Sequence, residues 1–287
     1  MPPKSSKKSI AKPKRKPVAK TNKRKPTKKT TRNKHLPIWL RNLLAVAIVI
    51  FFTATFYYFV IRPNAYRWKP CYGLKGYDVC LPYGYAVHGI DISHYQGNIN
   101  WPELALNKSS KFPIRFIFMK ATEGGDLDDK TFAQNFELAR QYGFIRGAYH
   151  FFSPRTDVKK QVDFFIRTVK LKPGDLPPVL DVEVLGKNTH EELQEKVLYW
   201  LTHIEAHYGV KPIIYASYKF KEKHLNHPVF DAYPYWIAHY YVDTVRYTGK
   251  WYFWQHSDRG IVPGIKERVD LNVFNGSPEQ LQELLID

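Results

Sequence analysis

Two cysteines and two methionines in 287 residues leave little room for sulfur chemistry. With only Cys71 and Cys80 the chain cannot build a multi-disulfide scaffold. Nor can it build a thiolate metal site, because no further cysteine is available as a ligand. The pair can close one short loop, CYGLKGYDVC, and the expected disulfide implies an oxidising compartment. No Gly-rich phosphate loop, G-x-S-x-G elbow or C-x-x-C occurs, and no Ser-His-Asp or Cys-His set stands out, so these nucleotide, serine-hydrolase and thiol-redox motifs are absent.

Acidic residues are missing from the first 34 positions, which hold fifteen Lys or Arg. Of the net charge of +18, sixteen lie within the first 41 residues, leaving +2 for the other 246. The same stretch has almost no large apolar residues, and its repeated Pro and Lys cannot bury enough surface to offset chain entropy. Residues 1–37 therefore read as a disordered basic tail. Such a polycation could neutralise nucleic-acid phosphates or touch anionic lipid. The apolar run next to it favours lipid over nucleic acid.

From Leu43 to Ile61 the chain reads LLAVAIVIFFTATFYYFVI, without charge, Pro or Gly. A helix of that length spans about the 30 Å hydrocarbon core of a bilayer. Trp39 stands at one end and Tyr57, Tyr58, Tyr66 and Trp68 near the other, as interfacial aromatics do. A cleaved signal peptide has a shorter apolar region ending in small residues, whereas this run ends in bulky aromatics. We expect an uncleaved transmembrane helix over 38–61. The excess of cations before it predicts a cytoplasmic N-terminus and a periplasmic or extracellular body.

After a connector over 62–86, residues 87–287 read as one domain in which strands alternate with helices. Eight apolar runs read as strands: VHGIDIS, RFIFMKA, FIRGAYHFF, PPVLDVE, PIIYAS, YWIAHY, YFWQHS and VDLNVF. Amphipathic stretches over 131–143, 156–170 and 190–208 read as helices, the last closed by Gly209, and the later strands follow one another through loops. Alternation predicts a parallel sheet covered by helices, and eight strands in about 200 residues predict a closed α/β barrel of TIM type with an incomplete outer ring.

In such barrels the site lies at the C-terminal ends of the strands. Four carboxylates interrupt the apolar runs there: Asp91, Asp181, Glu183 and Asp270. Burying a carboxylate is costly, so their placement calls for a reason. In the D-V-E triplet, Asp181 and Glu183 share one strand face. Two carboxylates so close cannot both ionise cheaply, which prepares one to act as an acid at neutral pH. The alternative is a structural pair satisfied by Lys120 or by backbone donors. Metal binding by these oxygens is a rival, but His94, His150, His239 and His256 lie in separate runs, and each reads as a packed neighbour rather than a ligand. Tyr149, Tyr215, Trp236 and Trp254 lie in the strand runs, where flat aromatic faces could cover sugar rings or simply pack.

The stretches GIDISHYQGNINW, FIFMKATEG, RGAYHFF, LPPVLDVE, PIIYAS, YWIAHY, WYFWQHS and VDLNVF occur in order over 87–274, and together they resemble family 25 of the glycoside hydrolases, the N-acetylmuramidase type of lysozyme. The resemblance implies a barrel of five β/α units followed by three further strands. It implies cleavage of the β-1,4 bond between N-acetylmuramic acid and N-acetylglucosamine of peptidoglycan, with retention of configuration and no cofactor. It casts Glu183 as the general acid, Asp181 as its partner on the substrate N-acetyl group, and Asp91 and Asp270 as flanking carboxylates. Lys120, Tyr149, Tyr215, Trp236 and Gln255 become residues lining or supporting the substrate site. A non-catalytic glycan-binding or scaffold protein on the same fold is the alternative.

Overall fold

The computed structural model describes residues 36–62, 71 and 73–287; the expected basic tail lies almost wholly outside them. The chain divides into two compact units, Met1–Arg62 and Pro63–Asp287.

In the first unit, α1 (Ile38–Phe56) starts after Pro37 and runs on as a π-helical turn over Tyr57–Ile61. The continuous helix Ile38–Ile61 has 24 residues, its most apolar stretch of 18 has a mean hydropathy of 2.4, and no residue of that stretch is buried. By length and composition it can cross a membrane. Its two threonines turn back onto the helix: Thr53 donates to the carbonyls of Val49 and Ile50, and Thr55 to that of Phe51. This satisfies them within the helix, as an apolar surrounding requires.

The second unit opens with a hairpin, β1 (Lys75–Gly76) and β2 (Val79–Cys80), and Cys71 is bonded to Cys80 with Cα atoms 5.4 Å apart. Eight strands then close a barrel: β3 (Val87–Ile92), β4 (Ile114–Glu123), β6 (Ile145–Phe151), β7 (Val179–Asp181), β8 (Ile213–Ser217), β9 (Tyr235–Ala238), β10 (Phe253–Gly260) and β11 (Val269–Phe274). The two-residue β5 (Leu127–Asp128) folds back on the end of β4. Helices follow the first five barrel strands: α2 (Trp101–Leu106), α3 (Phe132–Gln141), α4 (Val158–Thr168), α5 (His190–Tyr208) and α6 (Tyr218–His224). The expected five β/α units and three further strands are present. The sheet is not wholly parallel, because β11 runs antiparallel to both β10 and β3. The connection from Gly260 to Val269 is shorter than the dozen or more residues a parallel crossover needs, so the chain turns straight back and reverses direction.

Alternation along the strands separates two apolar layers. Outward residues such as Ile90, Ile117, Met119, Leu180, Ile214 and Ile237 pack beneath the helices against Phe136, Phe165, Val197 and Trp200. Inward residues Val87, Phe116, Phe118, Val179, Ile213, Phe253 and Phe274 fill the barrel. Phe253 lies 5.0–5.1 Å from the ring centres of Phe116, Phe118 and Phe274. Room for these rings comes from glycine: a Cβ at Gly89 would meet Phe116 at 2.3 Å, and one at Gly147 would meet Phe118 at 2.5 Å. Helix α7 (Pro278–Glu283) brings Leu281, Leu284 and Leu285 onto this inner layer, away from the carboxylates.

Candidate active site

The barrel interior changes character along its axis. Above the aromatic layer it opens into a cleft of about 250 Å³, lined by Asp91, Lys120, Tyr149, Asp181, Glu183, Tyr215, Trp236, Gln255 and Asp270. All nine candidate residues named from the sequence as catalytic or substrate-binding therefore meet in one place, although they come from all eight barrel strands. Cys71 and Cys80 lie apart, in the hairpin.

Asp91 and Asp270 are direct cross-strand partners on antiparallel β3 and β11. Burial pushes both carboxyls up, Asp270 the further, with the charge of Asp91 raising it again. Asp91 Oδ2 accepts from Gln255 Nε2 at 2.8 Å and from Asn272 Nδ2 at 2.7 Å. Gln255 Oε1 in turn accepts from the hydroxyls of Tyr215 (2.7 Å) and Tyr240 (2.5 Å), and Trp236 Nε1 donates to Asn272 Oδ1 at 2.8 Å. Both ends of the Gln255 amide are thus committed, which fixes its orientation and presents a donor to Asp91.

The hydrogen-bonded part of β7 ends at Asp181, but the extended chain continues, with Val182 N–H donating to the Tyr215 carbonyl at 2.9 Å. Asp181 and Glu183 both line the cleft while Val182 packs in the outer layer. Asp181 is 7 % exposed, and its Oδ1 is buried without a hydrogen-bond partner. Burial, then the charges of Glu183 and Asp91, hold its carboxyl well above the usual range. Glu183 is open to solvent on one side, yet the cleft walls strip enough water from its carboxyl to push it up, opposed by a hydrogen bond with Tyr215 and by Lys120. The lysine does not satisfy the Asp181–Glu183 pair. Lys120 Nζ instead meets Glu123 Oε2 at 2.6 Å.

The other sequence candidates separate by strand parity. Trp254 is an outward residue, fully buried, with its Nε1 donating to the His239 carbonyl, so it belongs to packing and not to the cleft. His150 and His256 also face outward, and burial lowers them to about 4 and about 3, which keeps them neutral. His94 lies at the rim with Nδ1 2.9 Å from Asp129. Among the described residues no group of three or more His, Cys, Asp or Glu has a metal-holding geometry. Three contributors lie outside the candidates named from sequence: Tyr240, Asn272 and Glu123. Asn272 was within reach, because it stands two residues after Asp270 and so shares its face.

Known proteins give the same picture. Residues 90–265 match the family described as glycosyl hydrolases family 25. The chain is 44 % identical over 218 residues to the uncharacterized protein YegX of Escherichia coli K12, covering 76 % of this chain and 79 % of that one. It is 33 % identical to lysozyme M1 of Streptomyces globisporus, covering 69 % and 71 %. Among solved structures, a family 25 glycosyl hydrolase from Bacillus anthracis superposes with a TM-score of 0.63 at 32 % identity, covering 69 % of this chain and 93 % of that one. A lysozyme from Streptomyces coelicolor does so with 0.63 at 33 %, covering 69 % and 96 %. A closed barrel carrying four carboxylates at one end, matched in sequence along most of its length, identifies the chain as a member of glycosyl hydrolase family 25.

Proposed function

We propose that the chain is a membrane-anchored muramidase that cleaves the β-1,4 bond between N-acetylmuramic acid and N-acetylglucosamine in peptidoglycan. The observation that carries this reading is the Asp181–Glu183 pair at the cleft, both carboxyls raised by burial, beside the cross-strand Asp91–Asp270 pair. Relatives named lysozyme M1, autolytic lysozyme and N,O-diacetylmuramidase support the substrate class.

In this reading Glu183, raised and open to the cleft, protonates the leaving glycosidic oxygen. Asp181 directs its unpartnered Oδ1 at the acetamido N–H of the muramic acid, whose carbonyl oxygen attacks the anomeric carbon. Water then opens that intermediate with net retention, Glu183 accepting the proton. Asp91 supplies negative charge beside the oxocarbenium-like centre, while Asp270 beside it holds the proton. Tyr149, Tyr215 and Trp236 wall the sugar, and Gln255 holds Asp91 in place. The helix Ile38–Ile61 anchors the enzyme, the basic N-terminus stays in the cytoplasm against anionic lipid, and the barrel faces the wall.

The test incubates the full chain in detergent with purified peptidoglycan, beside Glu183→Gln, and reads the fragments by mass spectrometry. New reducing-end muramic acid from the wild type alone is the expected result. Reducing-end glucosamine would reject the bond assignment, and no release by the folded wild type would reject the enzyme.

A further inference from the structure

Lys120 and Glu123 are three residues apart on β4. In a regular strand, residues at that spacing point to opposite faces. Here they share one. Lys120 pairs with Tyr149 of β6, but the next registered pair is Thr122 with His150, so β4 carries one extra residue at Ala121. Ala121 and Thr122 are consequently both turned outward, Ala121 into the outer apolar layer and Thr122 onto His150 Nδ1 at 2.7 Å. Glu123, paired with Phe151, comes back to the inner face. A bulge between parallel strands is uncommon, and bulges re-aim side chains. The turn after β4 keeps Glu123 in place: Gly124 adopts φ +55°, its N–H donates to the Phe151 carbonyl, and a Cβ at Gly125 would meet Thr156 at 2.8 Å.

The bulge delivers an ion pair. Lys120 Nζ lies 2.6 Å from Glu123 Oε2 and 4.8 Å from the centre of the Phe151 ring, and the lysine side chain is 12 % exposed. The lysine is surrounded by alternatives. It shares its cleft with Asp91 of β3, Tyr149 of β6, and Asp181 and Glu183 of β7, while His150 lies behind it. Asp181 Oδ1 has no partner at all. A buried lysine next to an unpartnered buried carboxylate oxygen would ordinarily close on it.

We propose that Glu123 is a positioning residue: it clamps the Lys120 ammonium against Phe151 and so prevents it from closing an ion pair with Asp181 or Glu183. The clamp keeps a cation near the site, where it can meet substrate oxygens, without cancelling the environment that raises the two carboxyls. Burial raises Asp181 and Glu183, and Lys120 is already the cation that opposes that rise in each. Released from Glu123, it would oppose it from contact distance. The catalytic meaning rests on the muramidase reading, whereas the clamp itself does not.

The experiment uses the full chain in detergent, labelled with ¹³C at Asp and Glu carboxyls, and follows Asp181 and Glu183 by NMR titration alongside the pH profile of peptidoglycan hydrolysis. In Glu123→Gln both carboxyl midpoints should fall; the deciding one is Glu183, on which the charge of Glu123 does not act, and it should fall by about one pH unit or more, the effect of a newly contacting opposite charge. The basic limb of hydrolysis should fall with them, since the acid loses its proton earlier. Glu123→Asp should hold both near wild type, and Glu123→Gln with Lys120→Met should return the midpoints to wild type or above. An unchanged Glu183 midpoint in Glu123→Gln overturns the proposal whether or not the protein hydrolyses anything, even if Asp181 falls through loss of the Glu123 charge. So does activity lost equally at all pH values without movement of the limb. If Glu123→Gln does not fold, the double variant decides, and midpoints below wild type in it overturn the proposal. Failure of the wild type to hydrolyse peptidoglycan would instead reject the muramidase reading and leave the titration to judge the clamp.

Discussion

The two ends of the barrel are built from the same strands on the same inward face, yet they are chemical opposites. At one end Val87, Phe116, Phe253 and Phe274 fill the axis with apolar volume. At the other, residues two to four positions along those strands are Asp91, Lys120, Gln255 and Asp270. The first end removes apolar surface from water, at about 25 cal/mol per Å². The second gives back part of that stability, because four carboxylates held above their usual range disfavour their own charged forms. A closed barrel allows this division, since the period of two that points a phenylalanine inward also points the carboxylate two or four residues on into the cleft.

If the division holds, substitutions at the two ends should fail differently. Glu183→Gln should lower turnover by about 10³-fold or more, in the range of lost general acid catalysis, while the thermal midpoint stays near wild type because this residue is half in solvent. Asp91→Asn and Asp270→Asn should each lower turnover by orders of magnitude without unfolding. Wild-type rates in any of the three would show that the carboxylate end is not the chemical end. Phe116→Ala should do the reverse. Loss of a fully buried ring costs about 3–5 kcal/mol, read as a fall in the urea midpoint, with turnover per folded molecule little changed. A large turnover loss at temperatures where Phe116→Ala is fully folded would break the separation between the ends.

The same separation explains what could be read from the sequence. The eight strands were legible because both barrel layers are apolar and each run is bounded by turn residues. The four carboxylates were legible because charge is conspicuous in such runs. What escaped notice depended on register between distant segments. That Asp91 faces Asp270 requires knowing that β11 runs antiparallel to β3. That Lys120 meets Glu123 requires the bulge at Ala121, which leaves no mark in composition. Trp254 reads as a sugar platform on aromatic character alone, but one step of parity from Gln255 turns it outward. The polar network through Tyr240 and Asn272 hid for a related reason: an uncharged side chain in an apolar run looks like packing until its partner is known.

A smaller effect tests whether the carboxylate end is costly in the manner described. Burial and Asp91 raise the Asp270 carboxyl in the folded protein, so the native state holds a proton that the unfolded chain releases in the ordinary range near pH 4. Below that range both states are protonated and the group costs nothing. As pH rises the unfolded chain gains its charge freely and the folded chain does not, so wild-type stability is progressively lost. Asp270→Asn removes the titration. Its urea midpoint relative to wild type should therefore be least favourable near pH 4 and improve steadily toward about pH 8. A difference that stays flat, or that shrinks with rising pH, would mean Asp270 is not strained by its site.

The smallest effect should belong to neither end. Thr189 caps α5, its side chain accepting from Glu192 N–H at 3.2 Å while the Glu192 carboxylate accepts from Thr189 N–H at 2.8 Å. That helix buries Leu193, Val197, Trp200, Leu201 and Ile204 against the outside of the barrel. Thr189→Ala should cost about 1 kcal/mol. The hydroxyl it removes does not titrate, so the loss should be the same at every pH, and no cleft residue leans on the cap, so turnover and the hydrolysis profile should not move. Loss of activity beyond that of the folded fraction would show that the outer helices set the cleft geometry, and the contrast between the ends would then extend to a third layer.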